Sequence, residues 1–553
     1  MLTINLEYGI EKTKDDFCII KVHKNNKTVY LGSKYNMNRE INNFLEKIHG
    51  EKSERDVFLI YGFGTGNHIK ALRKKYNNRI IVFEPNEQVF KYANSLEITK
   101  EDDKLDIISC EKDTLLNTIS KYINEFNFKN SEIISFSNYK QVYYEESTEF
   151  FGLINQFIIG LALNVNTKRF FGKQWFCNSI NIIPNLIQAI PADLYENKYK
   201  DTMAIIVSAG PSIEKNIDLI KDYNEAFVIS GGRTLPMLIE KNIKTDLLVI
   251  ADSGERNYKL VKDYIEQVDI PLLFSEGANL QIVQKHKAKK LFYTFSELLL
   301  KILGRRMKPI YTGGSVAHVM TSYAAMLGCN PIVFVGQDLA YTDEKIYSDL
   351  TKNKDGTYNY NEVVSDDDIY IEDINGEMVR TSLVLNNYRK KLEEIIKLYP
   401  NIKFINATEG GARIDGTISM KLKDVLKINL NKKGNKFIIK PEYNNCAMKK
   451  RAIVELNVLK QQVNDLIKSL LEELEKINSS RVEELNLYVS KIIEKIQNTP
   501  LNQYMYETIY DFFNNEKGSK NVRKVLRKFY LQLINEGNQV LNIVEDQINK
   551  LKE

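Results

Sequence analysis

The sequence predicts a multidomain α/β protein, and three observations carry that expectation. Between about 201 and 430, short apolar runs alternate with helical patterns: MAIIVS, AFVIS (226–230), LLVIA (247–251), PLLF (271–274), LFY (291–293), IVFVG (332–336) and IKFIN (402–406). Such alternation requires a mainly parallel sheet joined by crossover helices. Upstream, DVFLIYGFGTGNHIKALRKKY reads as strand, glycine turn and helix, and RIIVFEPN as a second strand. Downstream, AIVELNVLKQQVNDLIKSLLEELEKI and VEELNLYVSKIIEKIQ repeat apolar residues every three or four positions, with Glu and Lys between. That is the pattern of a helical bundle or hairpin. The expected division is an N-terminal domain over 1–170, a central α/β domain over 171–435 and a C-terminal α-helical domain over 436–553.

A chain of 553 residues is too long for one core, which agrees with a multidomain division. With 43% hydrophobic and 27% charged residues the composition is that of a globular protein, neither disordered nor fibrous. The net charge of +5, from 77 basic and 72 acidic residues, is too small for a nucleic-acid partner to be expected. Cys18, Cys110, Cys177, Cys329 and Cys446 are scattered without a C-x-x-C, and the histidines never approach metal-ligand spacing. Reduced thiols and no metal site are therefore expected. The stretch MLTINLEYGIEKTKDD lacks the basic-then-apolar pattern of a signal peptide. No run reaches ~18 uninterrupted apolar residues, so no membrane span and a cytoplasmic location are expected.

In order along the chain, FCIIKVHK and KTVYLGS read as hairpin strands. Gly62, Gly64 and Gly66 then form a turn, and Glu84 follows Gly64 by 20 residues, where a nucleotide-binding fold places its ribose acid. The pattern fits a Rossmann-like unit of the S-adenosylmethionine or dinucleotide type. No methyl-transfer or hydride site follows it, so a retained fold with lost or altered chemistry is expected. Aromatic-rich helices such as YYEESTEFFGLINQFIIGLAL come next, and the single Trp175 lies in a packing helix, FFGKQWFCNSINIIPNL.

In a parallel sheet, ligands bind at the carboxyl ends of the strands. Here those ends carry Ser208-Ala-Gly210-Pro211-Ser212, Ser230-Gly-Gly232-Arg233, Ala251-Asp252-Ser253 and Gly336-Gln337-Asp338. Ser212 stands at a helix N-cap position and 215–221 reads on as a helix, so free N–H groups and the helix dipole are expected to suit a phosphate or carboxylate. Thr312, Gly313, Gly314 and Ser315 open a second helix, ending at Leu327-Gly328, and form a second anion site by the same logic. His318 lies one turn into it, a position that more often holds a satisfied core histidine than a base. Tyr341 and Tyr347 follow Asp338 and bring hydroxyls that donate to a leaving phosphate without adding a full charge. Glu409, Gly410 and Gly411 follow IKFIN toward the same crevice. Ser365-Asp-Asp-Asp368 reads as a solvated loop, and 431–445 as a linker.

The SAGPS turn, the ISGGR strand end, TGGSVAHVMTSYAAMLGCNPIVFVGQDLAYT and NATEGGA together resemble the motility accessory factor (Maf) family of flagellin glycosyltransferases. The resemblance spans most of 55–420, and its central domain is similar to bacterial sialyltransferases and to 6-hydroxymethylpterin diphosphokinase-like proteins. It implies transfer of a nonulosonic acid, pseudaminic or legionaminic in type, from its CMP-activated form to Ser or Thr of flagellin, and so a role in motility. On that reading the two glycine turns hold the CMP and the sugar carboxylate. Arg233, Asp252 and Gln337 order the donor, and Tyr341 and Tyr347 assist departure of the phosphate. Many family members carry a histidine where Tyr347 stands, and the base remains open among Asp338, Glu409 and His318. No cofactor beyond the CMP-sugar donor is implied. Two alternatives stand beside this. A pterin diphosphokinase-like pyrophosphoryl transferase would need ATP and magnesium, and a non-catalytic flagellin-binding protein would leave the crevice idle.

Overall fold

The structure, a computed structural model, describes residues 8–24, 27–351, 368–428, 446–515 and 522–553. The expected linker at 431–445 and the first three residues of the Ser365–Asp368 run lie outside the described residues. The chain divides into two compact units, Met1–Phe170 with Tyr506–Phe529, and Phe171–Met505 with Tyr530–Glu553. Both the Leu501–Asn515 and Val522–Lys552 helices are thus shared between the units.

In the first unit, β1 (Tyr8–Lys12), β2 (Cys18–Lys24) and β3 (Lys27–Tyr30) form an antiparallel meander. β4 (Val57–Tyr61), β5 (Arg79–Glu84), β6 (Leu105–Ser109) and β7 (Glu132–Ser135) form a parallel sheet in the order β6-β5-β4-β7. β4 and β5 are apolar throughout because both faces of a parallel sheet are covered, and every residue of β4 is buried. Tyr506 and Tyr510, from far along the chain, complete this core.

The second unit is built on nine parallel strands: β8 (Ile190–Pro191), β9 (Met203–Val207), β10 (Ala226–Gly231), β11 (Leu247–Ile250), β12 (Leu272–Phe274), β13 (Lys290–Phe292), β14 (Ile332–Val335), then, beyond a separate hairpin of β15 (Ile369–Glu372) and β16 (Met378–Thr381), β17 (Phe404–Asn406) and β18 (Ile418–Ser419). The sheet order is β18-β17-β14-β9-β10-β11-β12-β13-β8. All seven strands expected here form. The short edge strands β8 and β18 and the β15–β16 hairpin carry too little apolar signal to be read in advance. Alternate residues of β9 serve opposite cores: Ala204 and Ile206 join one cluster, Met203, Ile205 and Val207 the other. Helices over Cys446–Lys476 and Val482–Gln497 form the start of the expected C-terminal helical region. The first is pinned by Arg451, which donates to the carbonyls of Ile302 and Leu303 at 2.8 Å each.

One helix among the described residues, Tyr144–Asn181, is long and apolar enough by length and composition to cross a membrane, and 17% of its most apolar window is buried. Counting only uninterrupted apolar runs overlooks it, because Asn155, Gln156 and Asn164 break the run while the average stays apolar.

Candidate functional site

The chain leaves β9 toward β10 on one side and meets β14 on the other, so the switch point of the sheet lies between β9 and β14. Val207 pairs with both Val335 and Ser230, which sets Ser208, Gly231 and Gly336 side by side at the carboxyl edge. The two loops there approach very closely. Gly210 N–H donates to the Gly336 carbonyl at 2.8 Å, and a Cβ on Gly210 would stand 2.0 Å from Asp338 Oδ2. Asp338, 2% exposed, accepts from Ser212 N–H at 3.2 Å and from Ser212 Oγ at 2.7 Å. Burial pushes its carboxyl above the usual range. Gly411, at φ +75, lies where a Cβ would be 2.3 Å from the Asp338 carbonyl oxygen. Ser208 Oγ donates to Gln337 Oε1 at 2.5 Å.

This corrects the expected anion site at SAGPS. No α-helix follows it: Pro211–Lys215 and Ile217–Ile220 are short 3-10 turns, and Ser212 is no N-cap. The Gly210 and Ser212 N–H groups are spent on the facing loop, so the turn is closed against that loop without a helix dipole behind it. Asp338 is the tie that holds the two loops together.

The second glycine turn opens a helix, as expected, but the Ser315 and Ala317 N–H groups are spent on its own cap. Ser315 caps the helix Val316–Met326, its Oγ accepting from Ala317 N–H at 3.3 Å. His318 completes the cap: Nδ1 accepts from Ser315 N–H at 3.2 Å, while Nε2 donates to the Tyr388 carbonyl at 2.9 Å. Both ring nitrogens are engaged and burial lowers its pKa to about 4, so His318 is the satisfied neutral core histidine. Gly314, at φ +87, and Gly313 admit the turn between His318 and Tyr388, whose side chains a Cβ would meet at 2.6 and 2.9 Å. Thr312 is exposed beside them.

Arg233 leaves the end of β10 past Gly232 and stacks its guanidinium 3.9 Å over the Tyr347 ring. Asp252, exposed past β11, accepts from Gly254 N–H at 2.8 Å. Tyr388, half-buried, has its phenol pKa raised by burial, then by Tyr347 and Asp252 close at hand. Arg233, Asp252, Tyr347, Tyr388 and Gly314 therefore share one neighbourhood. Tyr341 has other company: it is 8% exposed, its hydroxyl donates to Asp368 Oδ1 at 3.4 Å, and Arg380 covers its ring at 4.7 Å. Glu409, at φ +61, accepts through Oε1 from Asn216 Nδ2 and Leu422 N–H, both at 3.1 Å, and so ties loops together. Sequence reading missed Tyr388, which sits unmarked in an amphipathic helix, Leu383–Lys397.

In the first unit the glycine turn receives the protein's own rings. A Cβ on Gly62 would stand 2.4 Å from Tyr139, and one on Gly66 2.7 Å from Phe63. Glu84, 1% exposed, accepts from Phe63 N–H at 2.8 Å, Asn86 N–H at 2.9 Å and Tyr139 Oη at 2.9 Å. Tyr139 Oη in turn accepts from Gly64 N–H at 2.8 Å. The acid that would hold a ribose is fully engaged within the protein.

The family model described as 6-hydroxymethylpterin diphosphokinase MptE-like matches residues 177–344. No curated protein sequence matches the chain. Among solved structures, that of the MAf glycosyltransferase from Magnetospirillum magneticum AMB-1 superposes with a TM-score of 0.62 at 15% identity, covering 99% of this chain and 93% of that one. The chain thus has the fold of a Maf glycosyltransferase along nearly its whole length, with an MptE-like segment that contains the SAGPS, ISGGR and GQD strand ends and the TGGS helix start.

Proposed function

We propose that this protein is a cytoplasmic glycosyltransferase that moves a nonulosonic acid from its CMP-activated form to Ser or Thr of flagellin and so supports flagellar assembly. One observation carries the reading: Arg233 stacks on Tyr347, and Tyr347 and Asp252 lie close to Tyr388, which packs against Gly314, at the carboxyl edge of a parallel sheet. A guanidinium beside tyrosine hydroxyls suits a donor that carries a phosphate. Shared fold with the Magnetospirillum glycosyltransferase supports the reaction class. The donor phosphate would lie between Arg233 and Gly314, with Ser208 and Gln337 on the β9–β14 side and Asp252 on the sugar side. Charge develops on the phosphate as its bond to the sugar breaks. Arg233 and the Tyr347 hydroxyl would stabilise that charge.

Arg233→Ala should weaken CMP binding about 10- to 100-fold, the loss of one charge-assisted contact of ~1.5–3 kcal/mol, as read by calorimetric titration. The function itself is tested by incubating the protein with CMP-nonulosonate and unglycosylated flagellin. A mass gain on flagellin is the expected result; no gain, with normal motility on gene deletion, contradicts it. The MptE-like match over 177–344 favours a second reading, a pyrophosphoryl transferase. Thermal shift separates the two: CMP stabilises the first and ATP with magnesium the second. A binding protein with an idle crevice would respond to neither.

A further inference from the structure

We propose that Tyr139 is a built-in substitute for a nucleoside: its hydroxyl takes the place of a ribose hydroxyl in the first unit. The Rossmann-like crevice there is filled by the chain itself and takes neither a dinucleotide nor S-adenosylmethionine. This inference is independent of the transfer reaction proposed for the second unit.

A nucleotide-binding fold of this kind offers its ligand two things at the carboxyl ends of its first two strands. The glycine turn after the first gives backbone N–H groups and room for close approach, and an acid after the second takes a ribose hydroxyl. Both are present here, the Gly62–Gly66 turn after β4 and Glu84 as the last residue of β5. Tyr139 joins them through one oxygen. Its hydroxyl accepts from Gly64 N–H at 2.8 Å and donates to Glu84 Oε2 at 2.9 Å. A ribose hydroxyl is likewise donor and acceptor on one oxygen and would use the acid in the same way. Oε2 also accepts from Phe63 N–H at 2.8 Å and Oε1 from Asn86 N–H at 2.9 Å, so each oxygen of the acid is already bonded.

The ring fills the space as the hydroxyl fills the bonds. Tyr139 is fully buried, and a Cβ on Gly62 would stand 2.4 to 2.6 Å from three of its ring carbons. The Tyr61 ring meets it edge-on at 6.2 Å, and Tyr143 lies at 5.7 Å. The glycines keep the clearance that a cofactor would demand, and the protein's own rings use it. The segment carrying Tyr139 is also pinned. Asn138 accepts from Gly32 N–H at 3.1 Å and donates to the Tyr30 carbonyl at 2.9 Å. Phe136 N–H donates to the Tyr61 carbonyl at 3.0 Å, and the His68 ring stacks on the Phe136 ring at 3.7 Å. Swinging Tyr139 out would break these contacts together with its own two hydrogen bonds, so the ring is a plug and not a gate.

The test uses the full chain and reads thermal unfolding of the first unit. Adenosine, NAD or S-adenosylmethionine at millimolar concentration should leave the wild-type transition unmoved, since a ligand that binds the folded state would raise it. Tyr139→Phe keeps the ring, so it should stay blind to all three while melting below wild type. Tyr139→Ala removes the plug and leaves a cavity for a small aromatic molecule. Phenol, which can again bridge Gly64 N–H and Glu84, should raise its melting temperature about 2–4 °C more than toluene, which fills the same space without a hydroxyl. Should the Ala variant not fold, the wild-type and Phe measurements decide. Stabilisation of the wild-type first unit by NAD, adenosine or S-adenosylmethionine would overturn the plug. Equal effects of phenol and toluene, or a Phe variant that melts as high as wild type, would overturn the role of the hydroxyl.

Discussion

Gly210→Ala is expected to destabilise the second unit by about 3 kcal/mol and to remove CMP binding with it, the upper part of the cost of overpacking. The Gly210 backbone, at φ −65, would itself accept alanine. The obstacle is space: the new methyl would stand 2.0 Å from Asp338 Oδ2 and 2.6 Å from the Gly336 carbonyl oxygen. Either Asp338 swings away, freeing Ser212 N–H and hydroxyl inside the protein, or the β9 and β14 loops part. Both routes dismantle the tie between the two loops. Gly152→Ala is the control, since it lies in the Tyr144–Asn181 helix with nothing within 4 Å of its Cβ position. That change should stabilise by ~0.5–1 kcal/mol. Thermal unfolding with and without CMP reads both; an unchanged melting profile for Gly210→Ala contradicts the packing described.

The second large effect concerns the first unit and pH. Burial lifts the Glu84 carboxyl from 4.5 to about 7, against the pull of three donors. Below pH 4.5 folded and unfolded chains both hold this proton, and the group contributes no difference. Between 4.5 and 7 the folded state keeps a proton that the unfolded chain has released. Stability is therefore lost as pH rises, by about 3 kcal/mol once the pH passes 7. Glu84→Gln cannot ionise and should flatten this slope, at the expense of about one hydrogen bond, ~1 kcal/mol. Urea unfolding of the two proteins between pH 5 and 8 tests it. Equal slopes would mean that Glu84 is ionised throughout.

Much of the fold was legible because its signals are local. β9, β10, β11 and β14 carry unbroken apolar runs of four or five residues, followed by Ser208, Ser230, Asp252 and Gly336. Ser315 sits directly before its helix, so the TGGS turn was legible for the same reason. The rest depended on partners far away in sequence. Ser212 looked like a cap because nothing nearby shows that Asp338, 126 residues on, takes its N–H and hydroxyl. Asp338 looked catalytic because its burial under Gly210 and Gly411 is written in three separate loops. Tyr341 and Tyr347 are six residues apart, but one turns to Asp368 and Arg380, the other to Arg233. Gly62 and Gly66 matched a cofactor motif because clearance for a ligand and clearance for Tyr139 or Phe63 demand the same residue.

The central claim, that the carboxyl edge over β9, β10, β11 and β14 is a cytidine-nucleotide site, is tested most directly by a crystal soaked with CMP. Density for the nucleotide phosphate between Arg233 and Gly314, beside Tyr347 and Tyr388, is the predicted result. CMP bound elsewhere, or an empty crevice in crystals that take up ATP and magnesium there instead, would contradict it.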